Sequence, residues 1–346
     1  MASEAPPFWW EAADWRAWSL LPLSALYGLV AGYRMASAKR ARVDVPVLCV
    51  GNFTVGGEGK TPVSIALAKQ AKKLGRKPGF LTRGHGGSMG GGSMTVAHLV
   101  DAKKDLSRHV GDEPLLLARH APTLVAPDRL MGARELIGIG CDFIIMDDGF
   151  QSARLHMDYA VMVVDARRGL GNGHVIPGGP MRARLIDQLR YADAILTMGE
   201  GSAADHVVRR ASRAGRPVLQ ARLKPRGVRA IRGGRFLAFA GIGNPKKFFD
   251  SVAEAGGTVV EARSFPDHHP FDDDEARDLI AAAEKNGLEL ITTEKDLVRL
   301  RGGSEALSAL AEHCRVLQVE AQFDAPDMPV TIIESTIEAW RERILK

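Results

Sequence analysis

The 346-residue chain has only three cysteines, Cys49, Cys141 and Cys314. They are too few and too scattered for a disulfide framework or a cysteine zinc site, which points to a reducing compartment. No apolar run reaches the length of about 20 residues that a spanning helix needs. The leading segment does not read as a signal peptide: Glu4, Glu11 and Asp14 stand against Arg16, where such a signal is positively charged. No internal repeat is visible. Low complexity is confined to GHGGSMGGGS (84–93), which reads as a mobile loop. Acid is missing from one long interval. Between Asp205 and Asp250 there is no Asp or Glu but there are twelve Lys and Arg. This is either a solvated arginine-rich surface or a face that meets phosphate-bearing lipid, where each basic residue is worth about 1 kcal/mol. The rest is ordinary. The chain is 45% hydrophobic and 25% charged, and its 46 Lys and Arg against 41 Asp and Glu give a net charge of +5. That composition argues against disorder and fibrous repeats, and the small basic excess names no partner.

Four of the five tryptophans, Trp9, Trp10, Trp15 and Trp18, lie in the first 18 residues. The charge-free run AWSLLPLSALYGLVAGY (17–33) follows, then Arg34, Lys39, Arg40 and Arg42. Tryptophan and tyrosine favour the membrane–water interface, and basic residues the cytoplasmic leaflet. The pattern predicts a helix lying on, or dipping into, the inner face of a membrane. A helix packed on the protein's own core is the alternative.

After residue 40 short apolar runs alternate with helical patterns. Strands are expected at 45–50, 78–82, 123–126, 141–148, 159–165 and 194–198, and helices at 62–75, 114–120 and 128–138. This spacing implies a parallel sheet covered on both faces. Arg222 to Gly234, basic with Pro225 and several glycines, reads as a hinge. The alternation then restarts, with strands at 236–241, 257–265, 288–293 and 315–321. The expectation is an α/β chain in three parts: a membrane-associated segment (1–40), a nucleotide-binding core (41–222) and a smaller C-terminal α/β unit (223–346).

The strongest chemical signal is VGNFTVGGEGKTPVSIAL (50–67). Thr54, Val55, Gly56, Gly57, Glu58, Gly59, Lys60 and Thr61 sit between an apolar strand and a helix, the setting a P-loop requires. Glycines let backbone N–H groups cradle phosphate, and the helix N-terminus adds its positive end. Lys60 would reach the terminal phosphates of the nucleotide and the Thr61 hydroxyl would bind Mg²⁺. The first position is Thr54, where the usual pattern has glycine. The second signal is CDFIIMDDGFQ (141–151). Its acid pair, Asp147 and Asp148, falls at a strand's carboxyl end, where a P-loop protein holds Mg²⁺; a helix cap is the competing reading. Asp112 in Gly111-Asp112-Glu113-Pro114 could be only an N-cap. In Phe265-Pro266-Asp267-His268-His269-Pro270, an Asp–His pair could orient an imidazole for proton transfer. Guanine specificity normally shows as Asn/Thr-Lys-x-Asp. The nearest match, Thr292-Thr293-Glu294-Lys295-Asp296, has the wrong spacing, so ATP is favoured over GTP.

These segments, in this order, resemble the tetraacyldisaccharide 4'-kinase (lipid A 4'-kinase) family of Gram-negative bacteria. The resemblance spans nearly the whole chain. It includes LLPLSALYG (20–28), the P-loop, LTRGHGG (81–87), GDEP (111–114), DDGFQ (147–151), GNGHVIPGGPMR (171–182), GIGNPKKFF (241–249), FPDHHPF (265–271) and TTEKDLVRL (292–300). It implies a P-loop NTPase-like fold and transfer of the ATP γ-phosphoryl group to a tetraacylated glucosamine disaccharide 1-phosphate. It also implies a peripheral or monotopic place on the cytoplasmic face of the inner membrane, and neither a nucleic-acid nor a protein partner. On matched positions Lys60 is a phosphate residue, and Thr61, Asp147 and Asp148 serve Mg²⁺. Asp112 takes the proton of the sugar hydroxyl with His268 beside it. Gln151, Arg83 and Arg182 are further site residues. Three positions depart from the family pattern, which has Tyr at His85, His at Ser152 and Glu at Ala183. A membrane-bound ATPase switch without a lipid acceptor, or a nucleotide-binding module without catalysis, remains as the alternative.

Overall fold

The computed structural model describes residues 5–90, 96–152 and 154–346; residues 91–93 of the glycine-rich loop lie outside the described residues. The strands are β1 (Val47–Asn52), β2 (Pro78–Thr82), β3 (His98–Leu99), β4 (Thr123–Val125), β5 (Phe143–Asp147), β6 (Tyr159–Asp165), β7 (Ala194–Met198), β8 (Val218–Arg226), β9 (Arg235–Ala240), β10 (Thr258–Ser264), β11 (Glu289–Thr293) and β12 (Cys314–Phe323). They form one sheet in the order β10-β9-β11-β12-β8-β7-β6-β1-β5-β2-β4-β3. Pairing is parallel except at β3–β4 and at β8–β12. The antiparallel β8–β12 pair joins two parallel sets into one sheet.

Burial explains why the strands of the first set read as apolar runs. All six residues of β1 are buried. Val47 and Cys49 belong to one core, with the helices Arg129–Gly138 and Leu185–Leu189. Leu48 and Val50 belong to the other, with the helix Lys60–Lys73 and the terminal helix Met328–Leu345. A strand covered on both faces has no polar side to alternate with. In the second set β9 is divided the same way, Leu237 and Phe239 on one side and Phe236 and Ala238 on the other.

Two stretches differ from the sequence expectation. Residues 222–226, read as part of a hinge, are the second half of β8. Only Ala221 and Pro225 of that strand are buried, and its outward residues include Arg222, Lys224 and Arg226, so its period is masked by charge. The connection to β9 is Gly227–Gly234. Second, the acid-free interval opens with an unexpected helix, Asp205–Arg213, which buries Val207 and Ala211 beneath its arginines.

At the N-terminus a short helix, Trp15–Ser19, is capped by the Asp14 carboxylate. It leads into the helix Leu21–Ser37. One side of that helix is packed. Ser24 Oγ accepts from Gly178 N at 2.9 Å. Gly32 lies so close to Asp187 that a Cβ there would stand 2.6 Å from its carboxylate. Trp9 is also packed, its Nε1 donating to Pro177 O at 3.0 Å. The other side is apolar and open: Trp15, Trp18, Leu23, Leu26, Leu29, Val30 and Tyr33 are all exposed. Among the described residues no helix is long and apolar enough to cross a membrane.

The terminal helix is tied to the first core by a buried ion pair. Arg343 Nε donates to Asp158 Oδ1 at 2.6 Å, and its Nη2 to Val43 O at 3.0 Å. Asp158 also accepts from Val47 N at 2.9 Å, where β1 begins. Asp158→Ala leaves a buried guanidinium without its partner, a change that typically costs about 3–5 kcal/mol. Chemical denaturation of that variant is expected to show a loss of this size; one below about 1 kcal/mol, typical of exposed pairs, would mean that the pair holds nothing.

Candidate active site

The loop after β1 leads into the helix Lys60–Lys73 through Gly59, whose φ of 92° is left-handed. Glycine adopts that conformation without strain, and it turns the helix N-terminus toward the cleft. Lys60 is buried; its Nζ donates to Gly56 O at 3.3 Å and lies 3.7 Å from Asp148 Oδ1. Thr54, at the position where glycine is usual, donates its buried hydroxyl to Glu58 Oε1, while Glu58 Oε2 is buried without a partner. Burial pushes the Glu58 carboxyl up to about 7. Val55 N is fixed by Pro180 O at 2.9 Å. Gly57 has open space where a Cβ would be.

The acid pair divides into two environments. Asp147 ends β5 and is wholly buried. It accepts from Ser64 Oγ at 2.7 Å and Thr61 Oγ1 at 3.2 Å. Burial, followed by the charge of Glu113, pushes it up to about 7. Asp148 is one residue on and meets cations. Arg182 grips it with two hydrogen bonds, of 2.8 and 3.0 Å. Burial would raise its pKa, but Lys60 and Arg182 outweigh that and hold it well below the usual range. Neither acid caps a helix. Gln151 accepts from Arg182 at 3.0 Å and donates to Asn52 O at 3.0 Å, so it braces the arginine. Arg182 Nε also donates to Thr54 O at 3.0 Å, tying the acid pair to the phosphate loop. Arg83 is exposed at the cleft rim.

Asp112 opens the helix Asp112–Ala118 but makes no cap hydrogen bond. It is almost fully buried and its Oδ2 accepts from Arg299 Nη2. His268 Nδ1 is 3.5 Å from its Oδ1, which has no other donor. Burial would raise the Asp112 pKa, yet His268 and Arg299 together hold it far below the usual range. The Asp112 carboxylate in turn raises His268. The His85 ring stands edge-on to His268, centroids 5.7 Å apart. Next to this pair Lys295 Nζ donates to Glu113 Oε1 at 2.6 Å. Among the described residues only Asp148 (53°) and His268 (59°) combine a side chain with a left-handed φ. Such strain persists where surrounding contacts enforce it.

One cleft of about 1180 Å³ is lined by Lys60, Thr61, Asp148, Arg182 and His268. It thus gathers residues of the phosphate loop, the acid pair and the 265–270 turn, which the sequence presents as separate motifs, while Asp112 and Asp147 lie buried behind its wall. Ser152 and Ala183 line it as well. Ser64, Glu113, Lys295 and Arg299 were not foreseen as members of this cluster. Glu113 stands beside Asp112 in GDEP, Lys295 and Arg299 lie in TTEKDLVRL, and Ser64 lies one turn into the helix after the phosphate loop; none of the four carried assigned chemistry.

The Asp147 value has a testable sign. Its folded pKa, near 7, lies above the ordinary 3.8. An acid raised by folding lowers stability at pH above its folded value, and the penalty fades as pH falls toward the unfolded one. Asp147→Asn, free of nucleotide and divalent cation, should therefore melt several degrees above the parent at pH 8, with a smaller difference at pH 5. An equal difference at both pH values would show that the carboxylate is not held neutral by burial.

Comparison with known proteins gives a consistent picture. The profile of the family described as Tetraacyldisaccharide-1-P 4'-kinase (LpxK) matches residues 16–338. The tetraacyldisaccharide 4'-kinase of Mesorhizobium japonicum is 58% identical over 347 residues, covering 100% of both chains. That of a Chelativorans species is 56% identical over 345 residues, covering 100% of this chain and 99% of the other. Among solved structures, LpxK from Aquifex aeolicus in complex with ATP superposes with a TM-score of 0.68 at 23% identity, over 93% of this chain and 99% of that one. The last likeness supports the P-loop NTPase-like α/β fold. With the profile spanning most of its length and full-length relatives above half identity, this chain belongs to the tetraacyldisaccharide-1-P 4'-kinase family.

Proposed function

We propose that this chain transfers the γ-phosphoryl group of ATP to the 4'-hydroxyl of a tetraacylated glucosamine disaccharide 1-phosphate, making lipid IVA. The carrying observation is that His268, backed by Asp112, faces the same cleft as the phosphate-loop residues Lys60 and Thr61. Phosphoryl transfer needs little covalent work from a protein. It needs an acceptor oxygen aligned with the γ-phosphorus and neutralisation of the charge that spreads over the phosphoryl oxygens. Lys60, now resting on Gly56 O, and the loop amides of 56–61 supply the second requirement. Thr54 and Glu58 hold the loop's shape. Asp112 supplies the first requirement. Its Oδ1 has no donor other than the outlying His268, so it is available to accept the proton of the attacking hydroxyl. Arg83, exposed at the rim, would meet phosphate.

The residues present fit Mg²⁺. Thr61 and Asp147 offer oxygen donors side by side, whereas Asp148 is engaged by Arg182 and Lys60. No cluster of three His, Cys, Asp or Glu that could cage a metal is found among the described residues. That suits an ion that keeps waters and shares nucleotide phosphates with one or two carboxylates. When bound it would neutralise phosphate charge. At the departing positions, His85 keeps a ring against His268, while Ala183 removes a carboxylate from the cleft wall. The open apolar side of the helix Leu21–Ser37 would rest on the cytoplasmic face of the inner membrane, where a four-chain lipid acceptor resides. Of the smaller unit expected at 223–346, the part from β9 to β11 would close over the nucleotide through the Gly227–Gly234 connection, while the terminal helix stays on the first core.

The test is incubation of the full-length protein with ATP, Mg²⁺ and a set of glycolipid acceptors. A singly phosphorylated disaccharide lipid is the expected product. Lys60→Ala should lower turnover about 10²–10³-fold, since the lysine acts on charge that grows in the transition state. ATP hydrolysis with no phosphorylated lipid would favour the membrane-bound ATPase switch instead.

Membrane association is separable by changing only the open side of the N-terminal helix. The pair Leu26→Glu and Val30→Glu leaves Trp9, Ser24 and Gly32 in their packed positions. It should move protein from the membrane fraction to the soluble one without loss of ATP binding, because interfacial binding scales with buried apolar area. Unchanged membrane recovery would rule out this side as the contact.

A further inference from the structure

Arg299 lies in the short helix Glu294–Leu300, far in sequence from the phosphate loop. It is buried, and its guanidinium has a partner on each side. Nη1 donates to Asp296 Oδ1 at 2.8 Å and to Gly241 O; Nη2 donates to Asp112 Oδ2. Asp296 is itself pinned. Its Oδ1 accepts from Gly241 N at 3.1 Å, and its Oδ2 accepts from Thr293 Oγ1 at 2.6 Å. The guanidinium is therefore fixed from the C-terminal side, and only its outer edge crosses to Asp112.

We propose that Arg299 is a positioning residue that the C-terminal unit contributes to the phosphoryl-transfer site, keeping Asp112 ionised and turning its free oxygen toward His268 and the acceptor hydroxyl. The proposal rests on the reading of Asp112 as the proton acceptor. Asp112 is almost wholly out of water, where a lone carboxyl would be neutral and unable to accept a proton. Three cations oppose that: Arg299 and Lys295 from one helix and His268 from the 265–270 turn. Lys295 is committed to Glu113 and His268 stands 3.5 Å away. Arg299 alone makes a direct hydrogen bond to the carboxylate among the described residues. Asp267 and Asp296 face the same cluster, and each adds negative charge that the guanidinium offsets. Because Arg299 binds one oxygen, the other is left for His268 and substrate. Base and phosphate loop then work together only when the C-terminal unit is seated.

The experiment compares Arg299→Met, Arg299→Lys and Asp112→Asn in the full-length protein, reading kcat, KM for ATP, the pH profile of kcat and the melting temperature. Arg299→Met should lower kcat about 10²-fold or more at neutral pH, as for loss of a general base, with KM for ATP unchanged. Its acid limb should move to higher pH, so that part of the turnover returns in alkali. Arg299→Lys keeps the charge but not the two-sided grip. Its acid limb should stay near the parent's, while kcat falls about 10²-fold or less through misplacement. An Arg299→Met protein that folds and keeps the parental acid limb overturns the proposal, even if it melts lower. Should Arg299→Met not fold, Arg299→Lys decides: full kcat overturns the proposal, and reduced kcat with the acid limb in place supports it. Asp112→Asn with parental turnover would instead remove the proton-acceptor reading itself. Loss of turnover there, beside parental behaviour in both Arg299 variants, removes the role of Arg299 alone.

Discussion

Three carboxylates, Asp112 and Asp147 withdrawn from water and Asp148 half-buried at the cleft, set the terms for the rest of this structure. A buried carboxylate must find a cation, find hydroxyl donors, or take up a proton. Two of the three find cations and the third finds hydroxyls. Asp148 takes two cations, Lys60 and Arg182, and stays charged. Asp112 takes Arg299 and stays charged. Asp147 has only hydroxyls, from Thr61 and Ser64, and burial pushes it toward neutrality. Identical side chains thus acquire separate electrostatic states because different segments of the chain reach them. Asp147, the one carboxylate of the three without a cation partner among the described residues, is also the one beside Thr61.

The parts legible in the sequence were those whose physics is local. A P-loop is a strand, a turn of glycines and a helix within twenty residues, so its composition and its geometry are the same information. The acid pair was legible for a related reason: it ends an apolar run, and buried parallel strands are apolar runs. What the sequence concealed were long-range partners. Nothing near Asp112 announces Arg299, 187 residues away. Equally, nothing in the run 205–226 announces a helix and strand, because arginines on the exposed side mask the buried Val207, Ala211 and Ala221. Periodicity is weak where one side of an element carries long charged chains whose stems lie over apolar neighbours.

The N-terminal segment shows how one composition can serve two environments. Its tryptophans look alike in the sequence, but Trp9 is buried on Pro177 while Trp15 and Trp18 are open. The helix Leu21–Ser37 is divided likewise. Its packed side is made of Ser24, Gly28, Gly32 and Met35, mostly small residues that let backbone approach, and its open side of large apolar ones. The packed side meets the core-helix reading, and the other side is apolar and exposed. Contiguous exposed apolar faces are uncommon on soluble proteins and are typical of contact surfaces.

The loop between β6 and β7 connects that layer to the chemistry. Gly178 donates to Ser24, Pro177 accepts from Trp9, Pro180 accepts from the phosphate loop at Val55, and Arg182 grips Asp148. Six residues therefore bind the apolar layer, the phosphate loop and one acid into a single block. Asp112 also belongs to the first half of the chain, but its cation comes from beyond β11. An acceptor delivered along the apolar layer would meet the phosphate loop already in place. Asp112, in contrast, meets Arg299 and His268, both from the other side. The site is consequently divided along a physical seam: Lys60 and Asp148 are held by contacts within the N-terminal block, and Asp112 meets its cation from the C-terminal one. Any separation of the two halves would leave the nucleotide groups intact while Asp112 lost both its cation and the C-terminal residues packed over it.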